Sequence, residues 1–120
     1  MKGVYVLIIS LTKDIDVRVG ALGKINFKKG TYAYVGSAQT NLEKRVERHL
    51  RKAKRRFWHI DYLLCNSNAE VLEVFYEIVP KAEECRIVAQ LSREGFPVEG
   101  FGSSDCSCKS HLFKVRGYDF

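Results

Sequence analysis

Residues 3–11, Gly-Val-Tyr-Val-Leu-Ile-Ile-Ser-Leu, form a nearly continuous apolar run rich in β-branched and aromatic side chains. Such a run is typical of a central strand that is covered on both faces. Residues 31–36, Thr-Tyr-Ala-Tyr-Val-Gly, predict a second strand with Tyr32 and Tyr34 on one face. The first run therefore predicts a central strand and the second run a further strand.

Shorter patterns add strands around these two. Residues 15–19 alternate with period two, which favours a half-exposed partner strand. Residues 95–110 are rich in Gly and Ser and predict a loop. The other predicted strands are a short one around Ile25 and Phe27, residues 70–79 before Pro80, and residues 112–115 as a last edge strand.

Three segments predict helices. Thr40-Asn41-Leu42-Glu43 fits a capping box with Thr40 as N-cap, and we expect a helix from Leu42 to about Arg56. Its apolar stripe comprises Leu42, Val46, Leu50 and Ala53. A second short helix is expected over residues 57–64 and a third over residues 82–94.

Length and composition indicate one globular domain, residues 1–120. Hydrophobic residues make up 46% and charged residues 28%, which argues against disorder. The formal charge of +6 favours an anionic partner, most commonly nucleic acid, although a generic basic protein would also carry it. No run reaches the roughly 18 apolar residues that span a bilayer. Charged residues follow the first apolar run at once, so we expect no membrane association and a cytoplasmic location.

The predicted first helix is strongly basic. Eight of the residues from Lys44 to Arg56 are Lys or Arg. At 100° per residue, one stripe beside the apolar face carries Arg45, Arg48, His49, Lys52 and Arg56. Such a face can neutralise phosphates, and Arg suits bidentate phosphate contacts. The alternative is a solvated face whose charges pair with Glu43 and Glu47.

Glu84 lies in the predicted first turn of the last helix, on the same face as the apolar residues that follow it. A buried carboxylate is costly unless a cation or hydrogen bonds compensate it. A divalent metal would do so, because hard cations prefer oxygen ligands. The alternative is a helix-dipole role, which suits Glu83 better.

Several other polar groups leave alternatives open. Taken singly, Tyr5 and Tyr34 can be core aromatics. His59 and Asp61 can pair with each other, bind metal, or hold the second helix in place. Asp105 and His111 can lie on the same face of the fold as the other candidate residues. A zinc site, a disulfide or inert thiols are the alternatives for the set Cys85, Cys106, Cys108 and His111.

In combination, these residues resemble the GIY-YIG nuclease superfamily. Gly3-Val4-Tyr5 looks like its first motif and Tyr34-Val35-Gly36 like its second. The resemblance covers about residues 3–91. It continues through Asn41-Leu42-x-x-Arg45, which is similar to the family's helix start, His49 four residues later, and Glu84, which is similar to its metal-binding glutamate.

The resemblance implies an α/β (α+β) fold, a small central antiparallel β-sheet flanked by helices, and a metal-dependent DNA endonuclease. Glu84 would hold one Mg²⁺ or Mn²⁺ at the scissile phosphate. Tyr5, assisted by Tyr34 or His49, would deprotonate the attacking water, and Arg45 would supply a positive field or clamp the phosphate. The residues implied to contact the DNA backbone are Arg48, Lys52, Arg55 and Arg56.

A narrower resemblance is to a small branch whose members occur alone or joined to endonuclease-III-like repair proteins, which implies a link to DNA repair and a repair-protein partner. The segments that carry it are residues 58–62, residues 102–106 and residues 111–113. The chain departs from many such enzymes in having no asparagine after Glu84, and Ser110 or His111 would have to replace it. The alternatives are a non-catalytic nucleic-acid-binding module of the same fold and a thiol or zinc protein.

Overall fold

The computed structural model describes residues 2–52, 54–56, 58–102, 108 and 110–116. The chain forms an α+β fold in which helices pack on both faces of a five-stranded antiparallel sheet. Within the described ranges, no helix has the length and apolar character needed to cross a bilayer. The elements are β1 (Gly3–Leu11), β2 (Ile15–Arg18), a 3-10 helix (Gly20–Leu22), β3 (Lys24–Phe27), β4 (Gly30–Ala38), α1 (Leu42–Leu50), α2 (His59–Leu64), β5 (Ala69–Glu77), α3 (Glu83–Leu91), β6 (Phe96–Pro97) and β7 (Leu112–Val115).

The main sheet has the strand order β5-β1-β4-β7-β6. Strand β1 pairs along nearly its whole length with β4 on one side and β5 on the other. It is therefore the buried inner strand that its apolar run predicts, and the predicted small antiparallel sheet flanked by helices is confirmed.

The two faces of the sheet carry separate apolar clusters. Tyr32 and Tyr34 pack on the face covered by α1 and α2, whereas Ala33 and Val35 pack on the face covered by α3. This confirms the predicted alternation of β4. Because Tyr5 lies opposite Gly36 in the β1–β4 register, its ring is on the same face as that of Tyr34.

Two strand predictions were wrong in their placement. Strand β2 does not join the main sheet but pairs with β3 in a two-stranded ribbon. Strand β7 lies between β4 and β6 and is not an edge, because Phe96 and Pro97 of the predicted loop pair with it. Proline tolerates the outer strand position since no ladder hydrogen bond to its nitrogen is needed there.

The first helix is shorter than its sequence predicts. Its N-cap is Asn41, whose side chain accepts a hydrogen bond from Lys44 N–H, so Thr40 was the wrong cap. It ends at Leu50 because Arg51 has an extended backbone, and Lys54 donates to the last carbonyls of the helix. Leu50 was predicted to belong to the apolar stripe but is exposed, so that part of the stripe was wrong, and Ala53 is outside the described residues.

Candidate functional site

A phenol and an imidazole meet on the face of the sheet that α1 covers. The Tyr5 hydroxyl lies 2.7 Å from His49 Nε2, and both side chains are about 98% buried. His49 is on the last turn of α1, and the Tyr34 ring packs in a T-shaped arrangement with its imidazole, at 6.3 Å between centroids. The structure thus brings together three of the five residues predicted as catalytic.

The two glycines of the β1 and β4 motifs are required by close approach. A Cβ on Gly36 would lie 2.4 Å from the Tyr5 hydroxyl oxygen. A Cβ on Gly3 would lie 2.4 Å from the carbonyl oxygen of Glu77 on the neighbouring strand β5. Both distances are far inside van der Waals contact, so the Tyr5 hydroxyl occupies the space that a side chain at position 36 would need.

Arg45 is held next to these groups by the backbone and by an indole. Its Nη1 donates to the Ser37 carbonyl oxygen at 2.9 Å, and its guanidinium lies 4.3 Å from the centre of the Trp58 ring. Contact with an aromatic face favours a cation and orients the planar guanidinium. The sequence singled out Arg45 but gave no sign of this role for Trp58, because the indole comes from a distant segment.

The neighbouring Arg48 has a structural position. Its guanidinium donates to both carboxylate oxygens of Asp61, at 2.8 and 2.9 Å, and also lies over the Trp58 ring. Asp61 is fully buried and additionally accepts the Trp58 backbone N–H at 2.9 Å. This pair ties α1 to α2, which is the holding role that the sequence left open for Asp61.

Glu84 lies on α3, which covers the face of the sheet opposite to Tyr5 and His49. Its carboxylate is buried, as predicted, and Oε1 lies 3.4 Å from His111 Nδ1. The same nitrogen lies 3.2 Å from the Val35 carbonyl oxygen. In the tautomer that carries its proton on Nδ1, this nitrogen would donate to the Val35 carbonyl oxygen. His111, one of the two residues expected to replace an asparagine after Glu84, thus lies beside Glu84.

The donor set fits only one mode of metal binding. In the part of the chain that is described, no three His, Cys, Asp or Glu side chains form a metal-binding group. Mg²⁺, however, commonly keeps several waters and binds through one or two carboxylates plus substrate phosphate. Glu84 is a buried carboxylate with His111 beside it, and it is compatible with that mode of binding.

The basic segment around α1 divides into engaged and exposed groups. Lys52 donates its ammonium to the carbonyl oxygens of Leu64, Asn66 and Ala69, so with Arg48 it serves the fold. Arg55 and Arg56 are exposed. Of the four residues predicted to contact nucleic acid, Lys52, Arg55 and Arg56 are exposed, and of these Lys52 has its ammonium engaged by backbone carbonyls.

The predicted accessory residues are spread around the site. His59 Nδ1 accepts the Gly102 backbone N–H at 2.8 Å, while the Asp61 carboxylate accepts from Arg48. Cys85 and Cys108 lie together, whereas His111, from the same predicted zinc set, contacts Glu84. Cys106 and Asp105 lie outside the described residues.

Burial favours the neutral forms of the paired groups. It raises the pKa of Tyr5 to about 12, against the opposing charge of Arg45, and it raises the pKa of Tyr34 well above its usual range. Burial, aided by the charge of Lys54, lowers the pKa of His49 to about 4. At neutral pH the phenol therefore keeps its proton and the imidazole can accept one.

The sequence matches one protein family. The model of a family described as domain of unknown function, DUF123, matches residues 4–119. The chain belongs to this family. No curated protein and no solved structure matches it. The match spans every element of this DUF123 domain from β1 to β7, and with it all five residues of the candidate site.

Folding stability should depend on pH through His49. Its pKa is lowered from 6.5 to about 4, so between these values the unfolded chain binds a proton that the folded chain does not. The free energy of unfolding therefore has its full value above about pH 6.5. It falls by about 3 kcal/mol in total as the pH drops toward 4. Urea unfolding at several pH values, compared with His49→Gln, measures it. Parallel curves for the two proteins would contradict it.

Proposed function

We propose that this chain is a metal-dependent DNA endonuclease of the GIY-YIG type. The observation that carries the proposal is the hydrogen bond between the Tyr5 hydroxyl and His49 Nε2, beside the guanidinium of Arg45. A phenol in contact with a neutral imidazole and near a cation is suited to accepting and passing on a proton. A role confined to packing would need neither the imidazole nor the cation.

Proton transfer would run through side chains that are already aligned. In the neutral His49 tautomer that is protonated at Nδ1, Tyr5 O–H donates to Nε2, so the phenol oxygen could take a proton from water as it passes its own to His49. The pKa of Tyr5, raised by burial, opposes formation of a lasting phenolate. The positive charge of Arg45 acts in the other direction and favours loss of the proton. Tyr34 shields the pair with its ring.

Glu84 would hold the divalent cation, Mg²⁺ or Mn²⁺. When bound, such an ion stabilises charge on a phosphate and on the leaving oxygen. The His111 imidazole would help to position the carboxylate, since its Nδ1 lies 3.4 Å from Glu84 Oε1. The charge of Glu84 also acts on both phenols, raising the pKa of Tyr5 and of Tyr34. A cation there would offset that effect and favour proton loss from Tyr5.

Cleavage of DNA with and without the cation tests the proposal. Nicked, flapped and branched duplexes would be incubated with the parent protein in Mg²⁺, in Mn²⁺ and in chelator, beside Glu84→Gln, which keeps the shape of the side chain. We expect cleavage by the parent only with cation, and none by Glu84→Gln. Full cleavage by Glu84→Gln would refute the mechanism. Binding without cleavage by the parent would favour a non-catalytic nucleic-acid-binding module.

A role in DNA repair with a protein partner and a cytoplasmic location stay predictions.

The exposed pair Arg55 and Arg56 should contribute affinity without sequence preference. Removing both charges in Arg55→Ala/Arg56→Ala should weaken binding to all duplexes alike and reduce the slope of log K against log salt by about 2, one for each lost phosphate contact. Fluorescence anisotropy over a salt series measures both effects. The matched control, Lys13→Ala/Lys29→Ala, removes the same charge from exposed positions just before β2 and just after β3. An equal loss in the two variants would mean that only net charge matters.

A further inference from the structure

Two thiols lie in contact at the start of α3. The sulfur of Cys108 lies 2.9 Å from that of Cys85 and donates its S–H to it. Cys85 is exposed on the first turn of α3, and Cys108 is partly buried in the segment before β7. They are 23 residues apart in sequence, so the fold brings them together.

The arrangement is close to that of a disulfide. A disulfide bond is about 2.05 Å long, so the sulfurs need to approach by less than about 1 Å. The exposure of Cys85 gives a dissolved reactant direct access to one sulfur, and the second sulfur is already in position behind it. An accessible thiol next to a resolving thiol is the arrangement found at sites of reversible oxidation.

We propose that Cys85 and Cys108 form a thiol modification site that reacts with low-molecular-weight disulfides such as glutathione disulfide. The Cys85 thiolate attacks one sulfur of glutathione disulfide, forms a mixed disulfide and releases one glutathione thiolate. The Cys108 thiolate then attacks the Cys85 sulfur and expels the second glutathione. Two protein thiols are oxidised to one disulfide, one glutathione disulfide is reduced to two thiols, and the two protons pass to them.

The cross-link would join two segments that already meet elsewhere. Cys85 directly follows Glu84, and Cys108 precedes His111 by three residues, while Glu84 Oε1 and His111 Nδ1 are 3.4 Å apart. The disulfide would therefore restrain the segment that carries His111 against α3. This inference does not depend on the proposed nuclease activity, because its readouts are mass and thermal stability.

Mass spectrometry of a two-thiol variant tests the site. Cys65→Ser/Cys106→Ser leaves only Cys85 and Cys108, and the full chain would be exposed to glutathione disulfide under non-denaturing conditions. We expect the mass to fall by two hydrogens with no glutathione adduct retained, the thermal midpoint to rise by several degrees, and a reductant to reverse both. Two remaining thiols, or adducts that persist on them, would overturn the proposal.

A matched variant shows whether proximity is the cause. Cys106→Ser/Cys108→Ser leaves Cys85 with Cys65, which lies at the end of α2 on the opposite face of the sheet. It should retain glutathione adducts and form no internal cross-link; an equal yield of cross-link would overturn the proposal. If a variant fails to fold, tryptic mapping of the oxidised parent decides, since residues 82–86 should be joined to residues 94–109 through Cys108. A cross-link from Cys106 instead would contradict it.

Discussion

Replacing Tyr5 by Phe is expected to lower DNA cleavage by about 10²–10⁴-fold while the fold persists. The substitution keeps the ring and removes only the hydroxyl that bonds His49 Nε2 at 2.7 Å. It leaves a buried nitrogen without its partner, which costs about 1–3 kcal/mol of folding free energy and should leave the protein folded at room temperature. Single-turnover cleavage rates with saturating protein separate this loss of rate from any loss of binding.

Tyr32→Phe provides the matched control. Tyr32 is an equally buried phenol on β4, and its hydroxyl donates to the Lys28 carbonyl oxygen at 2.6 Å, away from His49. It should lose comparable stability but cleave at the parental rate. If Tyr5→Phe cleaves as fast as Tyr32→Phe, the Tyr5 hydroxyl takes no part in the reaction.

The largest loss of stability is expected from Asp61→Asn. The carboxylate of Asp61 is fully buried and accepts two hydrogen bonds from Arg48 and one from the Trp58 backbone. An amide can accept at one oxygen only, and its NH₂ group would face a guanidinium. Removing one partner of such a buried pair typically costs about 3–5 kcal/mol. The urea midpoint of unfolding, at an unchanged slope, measures the loss.

An exposed pair serves as the comparison for this loss. Asp16 lies 4.0 Å from the Lys24 ammonium with both side chains largely in water. Asp16→Asn should change the free energy of unfolding by less than about 1 kcal/mol, because solvent-exposed ion pairs contribute little. A loss as large as that of Asp61→Asn would mean that burial does not determine the effect.

The strands of the sheet were predicted correctly from the sequence where burial determines the pattern of apolar residues. The apolar run of β1 identifies a strand covered on both faces, and the alternation in β4 identifies which side chains lie on each face. Both patterns are informative because apolar side chains must be buried. Strand β6 was missed because Phe96 and Pro97 carry no pattern of their own and are held by pairing with β7. The end of α1 was missed because helical spacing continues past Leu50, while the chain turns where Lys54 caps its carbonyls.

Only part of the candidate site could be predicted from the sequence. Motif order pointed to Tyr5, His49 and Arg45, which the fold brings together, and the inward face of α3 pointed to Glu84. The basic stripe did not distinguish Arg48, held by Asp61, from exposed Arg56, because charge and spacing are alike for both. The contacts of Trp58 and His111 are tertiary, so no local pattern could reveal them.

The position of Trp58 gives the protein an internal optical reporter. It is the only tryptophan in the chain, and its indole lies under the guanidinium groups of Arg45 and Arg48 with His49 6.0 Å away. All intrinsic tryptophan emission therefore originates beside the candidate site. A phosphate that draws Arg45 away from the ring would alter that emission directly, so substrate engagement could be followed without attaching any label.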